Sequence, residues 1–89
     1  MPPHFPLGSI YVTRQAAAQL SDRDVRQALA RHSAGDWGDV HAGDRGLNDE
    51  ALQTGERLLS VYVSPNGVRF WVITEADRSQ TTVLLPDEY

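Results

Sequence analysis

Apolar and polar residues alternate in the C-terminal third of the chain and recur at helical spacing further upstream. From Arg57 to Ser64, Leu59, Val61 and Val63 alternate with Leu58, Ser60 and Tyr62, which is the two-residue period of a strand. Val68 to Thr74 repeats the pattern, with Val68, Phe70 and Val72 set against Arg69, Trp71 and Ile73. Between them, Ser64-Pro65-Asn66-Gly67 predicts a tight turn, because proline presets one central φ and Asn-Gly accepts positive φ. Glu75 to Ser79 predicts a second polar turn, and Thr81 to Leu85 a last strand before Pro86. Both faces of the two central strands are apolar. One is expected to pack on helices, the other to present Tyr62, Trp71 and Ile73.

Upstream, Gly8 to Thr13 predicts a short strand with Ile10 and Val12 on one face and Tyr11 on the other. Thr13 is placed to cap a short alanine-rich helix, Arg14 to Leu20. Ser21 and Asp24 have the spacing of a capping box, and Val25, Ala28, Leu29 and His32 then fall on one helical face. Ser33-Ala34-Gly35 should end that helix. Residues 33–46 hold four glycines and a tryptophan and read as a long structured loop. A third helix is expected from Leu47 to Thr54, with Leu47 and Ala51 inward and Gly55 as its stop. Residues 1–7, with Pro2, Pro3 and Pro6, read as a disordered or loosely docked arm. The expected fold class is α+β: one domain over residues 8–89, in the order β-α-α-loop-α-β-β-β. Its short N-terminal strand and two to three helices precede a three-stranded antiparallel meander packed on the helices.

Composition narrows the functional range. The 89 residues fit one small domain. There is no cysteine, so disulfides and thiolate sites are excluded. Eight arginines, no lysine and twelve carboxylates give a net charge of −4, which disfavours a duplex-DNA binder. No apolar run approaches the roughly 20 residues of a membrane span, and Met1 to Leu7 lacks the features of a secretory signal, so a cytoplasmic location is expected. The charge is concentrated. Residues 36–56 carry six carboxylates against one arginine, for −5, while residues 1–35 carry +2 and residues 57–89 carry −1.

Two constellations could carry chemistry. His32, Asp36, Asp39, His41, Asp44, Asp49 and Glu50 collect the groups that bind metals or share protons, but their spacing fits neither an EF-hand nor H-E-x-x-H. No metal or cofactor is therefore expected, and capping and turn roles account for these residue types equally well. Trp37, between Gly35 and Gly38, is either an anchor for a partner or a lid on the core. His32 closes its helix, where the dipole favours the imidazolium. The second constellation is Thr74 to Thr82. Arg78 with Ser79 and Thr81 could hold a phosphate, or the stretch could be an Asx-type turn with an Arg–Asp pair.

The segment His32-Ser33-Ala34-Gly35-Asp36-Trp37-Gly38-Asp39, with Asp44, Asn48 and Leu59-Ser60-Val61-Tyr62, resembles a family of small plasmid, phage and integrative-element proteins. Trp71-Val72-Ile73-Thr74-Glu75-Ala76-Asp77-Arg78-Ser79 and Thr81 to Tyr89 extend the resemblance, which runs from about Leu7 to the last residue. It implies a mobile-element accessory protein, a setting of defence inhibitors and toxin–antitoxin parts. The leading expectation is a stoichiometric inhibitor of a host nucleic-acid defence enzyme, of anti-CRISPR or anti-restriction type. Its partner surface would be Asp36, Trp37, Asp39, Asp44, Asp49 and Glu50, with a host protein as partner. The alternative is a metal-independent ribonuclease toxin of the barnase/EndoU/colicin/RelE type. In that reading His32 is the acid–base, Arg78 the phosphate clamp, and Ser79 or Thr81 a supporting hydroxyl. A second alternative is a dimeric regulatory or scaffold protein joined through Tyr62, Trp71 and Ile73.

Overall fold

The computed structural model describes residues 3–89. Strand β1 (Ser9–Val12) leads into helix α1 (Arg14–Gln19) and helix α2 (Asp22–Ser33). Helix α3 (Ala42–Thr54) follows, then strands β2 (Leu58–Val63), β3 (Arg69–Thr74) and β4 (Gln80–Leu84), and a closing 3₁₀ turn, Pro86–Glu88. The sheet is four-stranded and mixed, in the order β1-β4-β3-β2, with β1 parallel to β4 and the other pairs antiparallel. This corrects the expected three-stranded antiparallel meander. The three C-terminal strands do form a meander, but β1 adds a parallel edge. That pairing joins segments about 70 residues apart, so no local pattern announces it.

Local chemistry sets the boundaries. The Thr13 hydroxyl accepts the Ala16 amide at 3.2 Å and caps α1. Ser21 Oγ accepts the Asp24 amide at 3.0 Å, and Asp24 returns a carboxylate to the Ser21 amide at 3.1 Å, completing the expected capping box of α2. At the other end of α2, Gly35 takes φ +82°. Its amide bonds the His32 carbonyl, and the Asp36 amide bonds that of Arg31, a Schellman termination. Helix α3 starts at Ala42, not Leu47, so the last five residues of the expected loop, 42–46, are helical. Gly43 and Gly46 lie within it, where they are tolerated rather than favoured. Leu47 faces solvent, 63% exposed, while Asn48 and Ala51 face inward.

One core cluster joins Ala16, Leu20 and Ala28 of the first two helices to Tyr62, Phe70, Val72 and Val83 of the sheet. Tyr62 is on this face because the hairpin pairs Val63 with Arg69 and hence Tyr62 with Phe70, not with Trp71. The expected exposed triad therefore does not exist: Tyr62 and Ile73 are buried, and Trp71 is half-buried against Tyr89. A second cluster gathers Phe5, Trp37, Val40, Ala51, Leu58 and Val61. Phe5 overturns the expectation of a loose arm over residues 3–7. Its ring stacks on Trp37 at 6.3 Å and meets His32 edge-on at 5.3 Å, while the His4 amide bonds the Ser33 carbonyl. Met1 and Pro2, the start of that expected arm, lie outside the described residues.

Candidate functional site: an acidic ledge on a buried polar frame

Between the end of α2 and the start of α3 the chain runs along β2. Gly38 bridges Val61 in parallel, the Val61 amide bonds the Trp37 carbonyl, and the Asp39 amide bonds the Val61 carbonyl. Gly38 is required here. It holds φ +71°, and a Cβ would lie 2.0 Å from the Val61 carbonyl oxygen. Asn48 extends the same seam from α3, donating to the Leu59 carbonyl at 2.7 Å and accepting the Leu59 amide at 3.1 Å. The β2 edge is thus closed by side chain and backbone together.

This seam displays the acidic residues and divides them by role. Asp36 is bound by Arg31 at 2.7 Å, which holds its carboxyl below the usual carboxylate range and raises the guanidinium in turn. Asp49 accepts the Trp37 indole N–H at 2.9 Å. Asp39, Asp44 and Glu50 form no ion pair among the described residues. Asp44, Leu47 and Glu50 follow at three-residue steps along α3, so they lie on one flank with the exposed Leu47 between two carboxylates. Trp37 itself is only 4% exposed, which corrects its assignment as a partner anchor. Its ring is drawn inward by Phe5 and His32, and its one polar atom is satisfied by Asp49. The sequence reading missed Leu47, whose place between Asp44 and Glu50 is visible once the helix is known to start at Ala42.

Of the residues of the ribonuclease alternative, His32 and Thr81 are linked through Thr74 inside the molecule, while Arg78 is half-buried and Ser79 exposed in the turn between β3 and β4. His32 is fully buried, with Ser60 Oγ 2.6 Å from Nδ1 and Thr74 Oγ1 2.9 Å from Nε2. Thr74 reaches Thr81 at 2.7 Å, and Thr81 donates to the Leu7 carbonyl at 2.7 Å. With the imidazole neutral, that last bond fixes every proton. Thr81 spends its only hydrogen on Leu7, so Thr74 donates to Thr81 and accepts from His32 Nε2–H, and Ser60 donates to bare Nδ1. Burial, aided by the Arg78 charge, holds the imidazole pKa down at about 3. This reverses the expected dipole-stabilised imidazolium, because desolvation outweighs the helix end.

Arg78 is equally committed. It sits at φ 61°, and its guanidinium donates to the carbonyls of Ala51, Glu56, Glu75 and Ala76. The Ala51 and Glu56 carbonyls flank the C-terminal end of α3, so Arg78 acts as a cationic cap there. Ser79 donates its amide to Asp77, making the Asx turn foreseen for this segment, though without the Arg–Asp pair. Among the described residues no group of three or more histidines and carboxylates is arranged to hold a metal ion, and no helix is long and apolar enough to cross a membrane.

Fold and site together define a small α+β domain with an acidic ledge and a sealed polar interior. No family model, curated protein or solved structure matches the chain.

Proposed function

We propose that the protein acts by stoichiometric binding, presenting Asp39, Asp44 and Glu50 around Leu47 to a basic surface of another protein. In the mobile-element setting that the sequence resembles, that surface is the nucleic-acid channel of a host defence enzyme. The observation that carries this reading is the exposed Leu47 flanked by carboxylates without ion pairs among the described residues, on a helix fixed to β2 by Asn48 and to the turn between β3 and β4 by Arg78. An apolar centre with a charged rim is the usual build of a binding surface, and the carboxylates would steer encounter with a positive channel. The ribonuclease alternative is weaker. Its acid–base is sealed, and its phosphate clamp is occupied by main-chain carbonyls.

The test adds purified protein to restriction and CRISPR nuclease cleavage reactions. Expected is inhibition that saturates near equimolar protein and weakens at least tenfold between about 50 and 300 mM salt. The double variant Asp39→Lys/Glu50→Lys and the single variant Leu47→Ala should each lose it while remaining folded. Inhibition unaffected by both variants would reject the ledge. Cleavage of RNA by the protein alone, abolished in His32→Ala, would replace the binding reading with the toxin.

A further inference from the structure

The two edges of the sheet are treated differently. The β2 edge is closed by Trp37–Asp39 and Asn48, whereas β1 has β4 on one side and, among the described residues, no neighbouring strand on the other. All four residues of β1 are exposed, with Ile10 at 42%, Tyr11 at 53% and Val12 at 36%. The Ser9 and Thr13 amides bond the Ser79 and Val83 carbonyls of the β4 segment. Strand alternation therefore turns the amides and carbonyls of Ile10 and Val12 outward. Soluble proteins blunt such an edge with charge, proline or a bulge. Ser9-Ile10-Tyr11-Val12 has none of these, and the chain has no lysine to spend there.

We infer that β1 is a homodimer interface, pairing antiparallel with β1 of a second copy across a two-fold axis at Tyr11. The outward groups set the register. Ile10 exchanges both main-chain hydrogen bonds with the partner's Val12, and the reverse pair does the same, giving four bonds. Ile10 and Val12 share the helix face of the sheet, since their β4 partners Thr81 and Val83 point into the core. Beside Val12 on that face lies a groove of about 250 Å³ lined by Ala17, Leu20 and Val25, with Asp22 and Arg26. The partner's Ile10, opposite Val12, stands at its mouth. On the other face the two Tyr11 rings meet.

Charge selects a second copy over an arbitrary strand. Arg14, exposed and without an ion pair among the described residues, follows the C-terminal end of β1. Asp77, also exposed, lies in the turn whose Ser79 carbonyl holds the Ser9 amide at the N-terminal end. Antiparallel pairing sets each Arg14 opposite the partner's Gly8, with the partner's Asp77 turn on the far side of that strand, roughly 10 Å away, so opposite charges attract at both ends without forming an ion pair. A four-residue edge covers less than the ~800 Å² per partner of a standard interface, so the dimer is of modest affinity, dissociating at roughly micromolar to hundred-micromolar concentration. The interface is independent of the acidic-ledge reading and fails separately from it. It would join two sheets into eight strands with the two β2 edges about 34 Å apart, one ledge at each end.

Sedimentation equilibrium from about 1 µM to 1 mM should give a monomer–dimer equilibrium with its midpoint in this range. At the dimeric end, hydrogen exchange followed by NMR should show the Ile10 and Val12 amides protected, and on dilution they should exchange freely. Tyr11→Lys opposes two like charges at the axis and should weaken dimerisation about tenfold or more. Arg14→Glu suits the first turn of a helix and so should not unfold α1, yet it turns the attraction to the partner's Asp77 turn into repulsion at both ends and should weaken the dimer about twofold. A monomer at 1 mM overturns the inference. So does a dimer whose Ile10 and Val12 amides stay unprotected, or one indifferent to both variants. Capture of a different protein on β1, with the chain alone monomeric, overturns the second copy as occupant.

Discussion

Acid should destabilise this protein well above the pH at which carboxylates protonate, and His32 should be the reason. In the folded state its pKa is about 3, because burial desolvates the imidazolium and the Arg78 charge opposes it. In the unfolded chain it returns to about 6.5. Below that value the unfolded state binds the extra proton, so stability is full above pH 6.5 and falls as pH drops toward 3. The loss is about 2 kcal/mol by pH 5 and about 3 kcal/mol by pH 4 relative to pH 7.5. For a domain of this size, whose total stability is of order 4–13 kcal/mol, that is a large share. Asp36, whose pKa is also lowered, adds its own loss only below the ordinary carboxylate range, so the window from pH 7.5 to 5 isolates histidine. Urea melts followed by the fluorescence of Trp37 and Trp71 give the unfolding free energy at each pH. His32→Gln should be less stable at pH 7.5 but should lack most of this slope. NMR should show His32 neutral, in the Nε2–H form, from pH 8 down to 4.5. A His32 titration near 6.5, or equal stability of the wild type at pH 7.5 and 5, would refute the sealed network.

The remaining predictions address the frame around it. Phe5→Ala should cost about 3 kcal/mol in a urea melt, because Phe5 is a core residue; a change below about 0.5 kcal/mol would mean the arm is not docked. Gly38→Ala should cost about 2 kcal/mol or more, through positive φ and a clash with the Val61 carbonyl, and should unprotect the Asp39 amide in hydrogen exchange. Arg78→Gly relieves a left-handed backbone but removes the bonds to four carbonyls, and should lower stability by about 2 kcal/mol net; stabilisation would show that the cap on α3 is unimportant. Asp39→Lys and Glu50→Lys should each change stability by no more than about 0.5 kcal/mol, since neither carboxylate has an ion pair among the described residues.

What could be read from sequence was what a few neighbouring residues decide. The Thr13 cap, the Ser21–Asp24 box, the Gly55 stop and the Ser64–Gly67 turn are each settled within four residues, and all four are present. What was misread depends on contacts across the chain. β1 pairs with β4 across about 70 residues of intervening chain. The start of α3 has no side-chain cap, since His41 makes none, and two glycines obscure its first turns. Phe5 and Trp37 are apolar residues in polar, glycine- or proline-rich surroundings, so nothing local says that they pack on one another.

The candidate site shows the same limit in sharper form. His32, Arg78 and Thr81 look catalytic because enzymes and buried networks draw on the same polar residue types. Accessibility separates the two, and strand parity gives the answer once the hairpin register pairs Tyr62 with Phe70. Ser60 shares its face with Tyr62, Thr74 with Val72, and Thr81 with Val83, so all three polar groups belong to the face that meets the helices. Groups on such a face must satisfy one another, and they do: among the described residues no buried side-chain polar atom lacks a partner. The chain from Ser60 through His32 to Leu7 ties three strands, a helix and the N-terminal segment into one unit. Much of the acidic block then turns out to serve the same interior: Asp36 steadies the end of α2 and Asp49 holds the Trp37 indole. With Asp36 and Asp49 so engaged and Glu56 beyond the end of α3, the surface we propose comprises three of the six carboxylates of the −5 segment, Asp39, Asp44 and Glu50, with Leu47, rather than a broad mimic of nucleic acid.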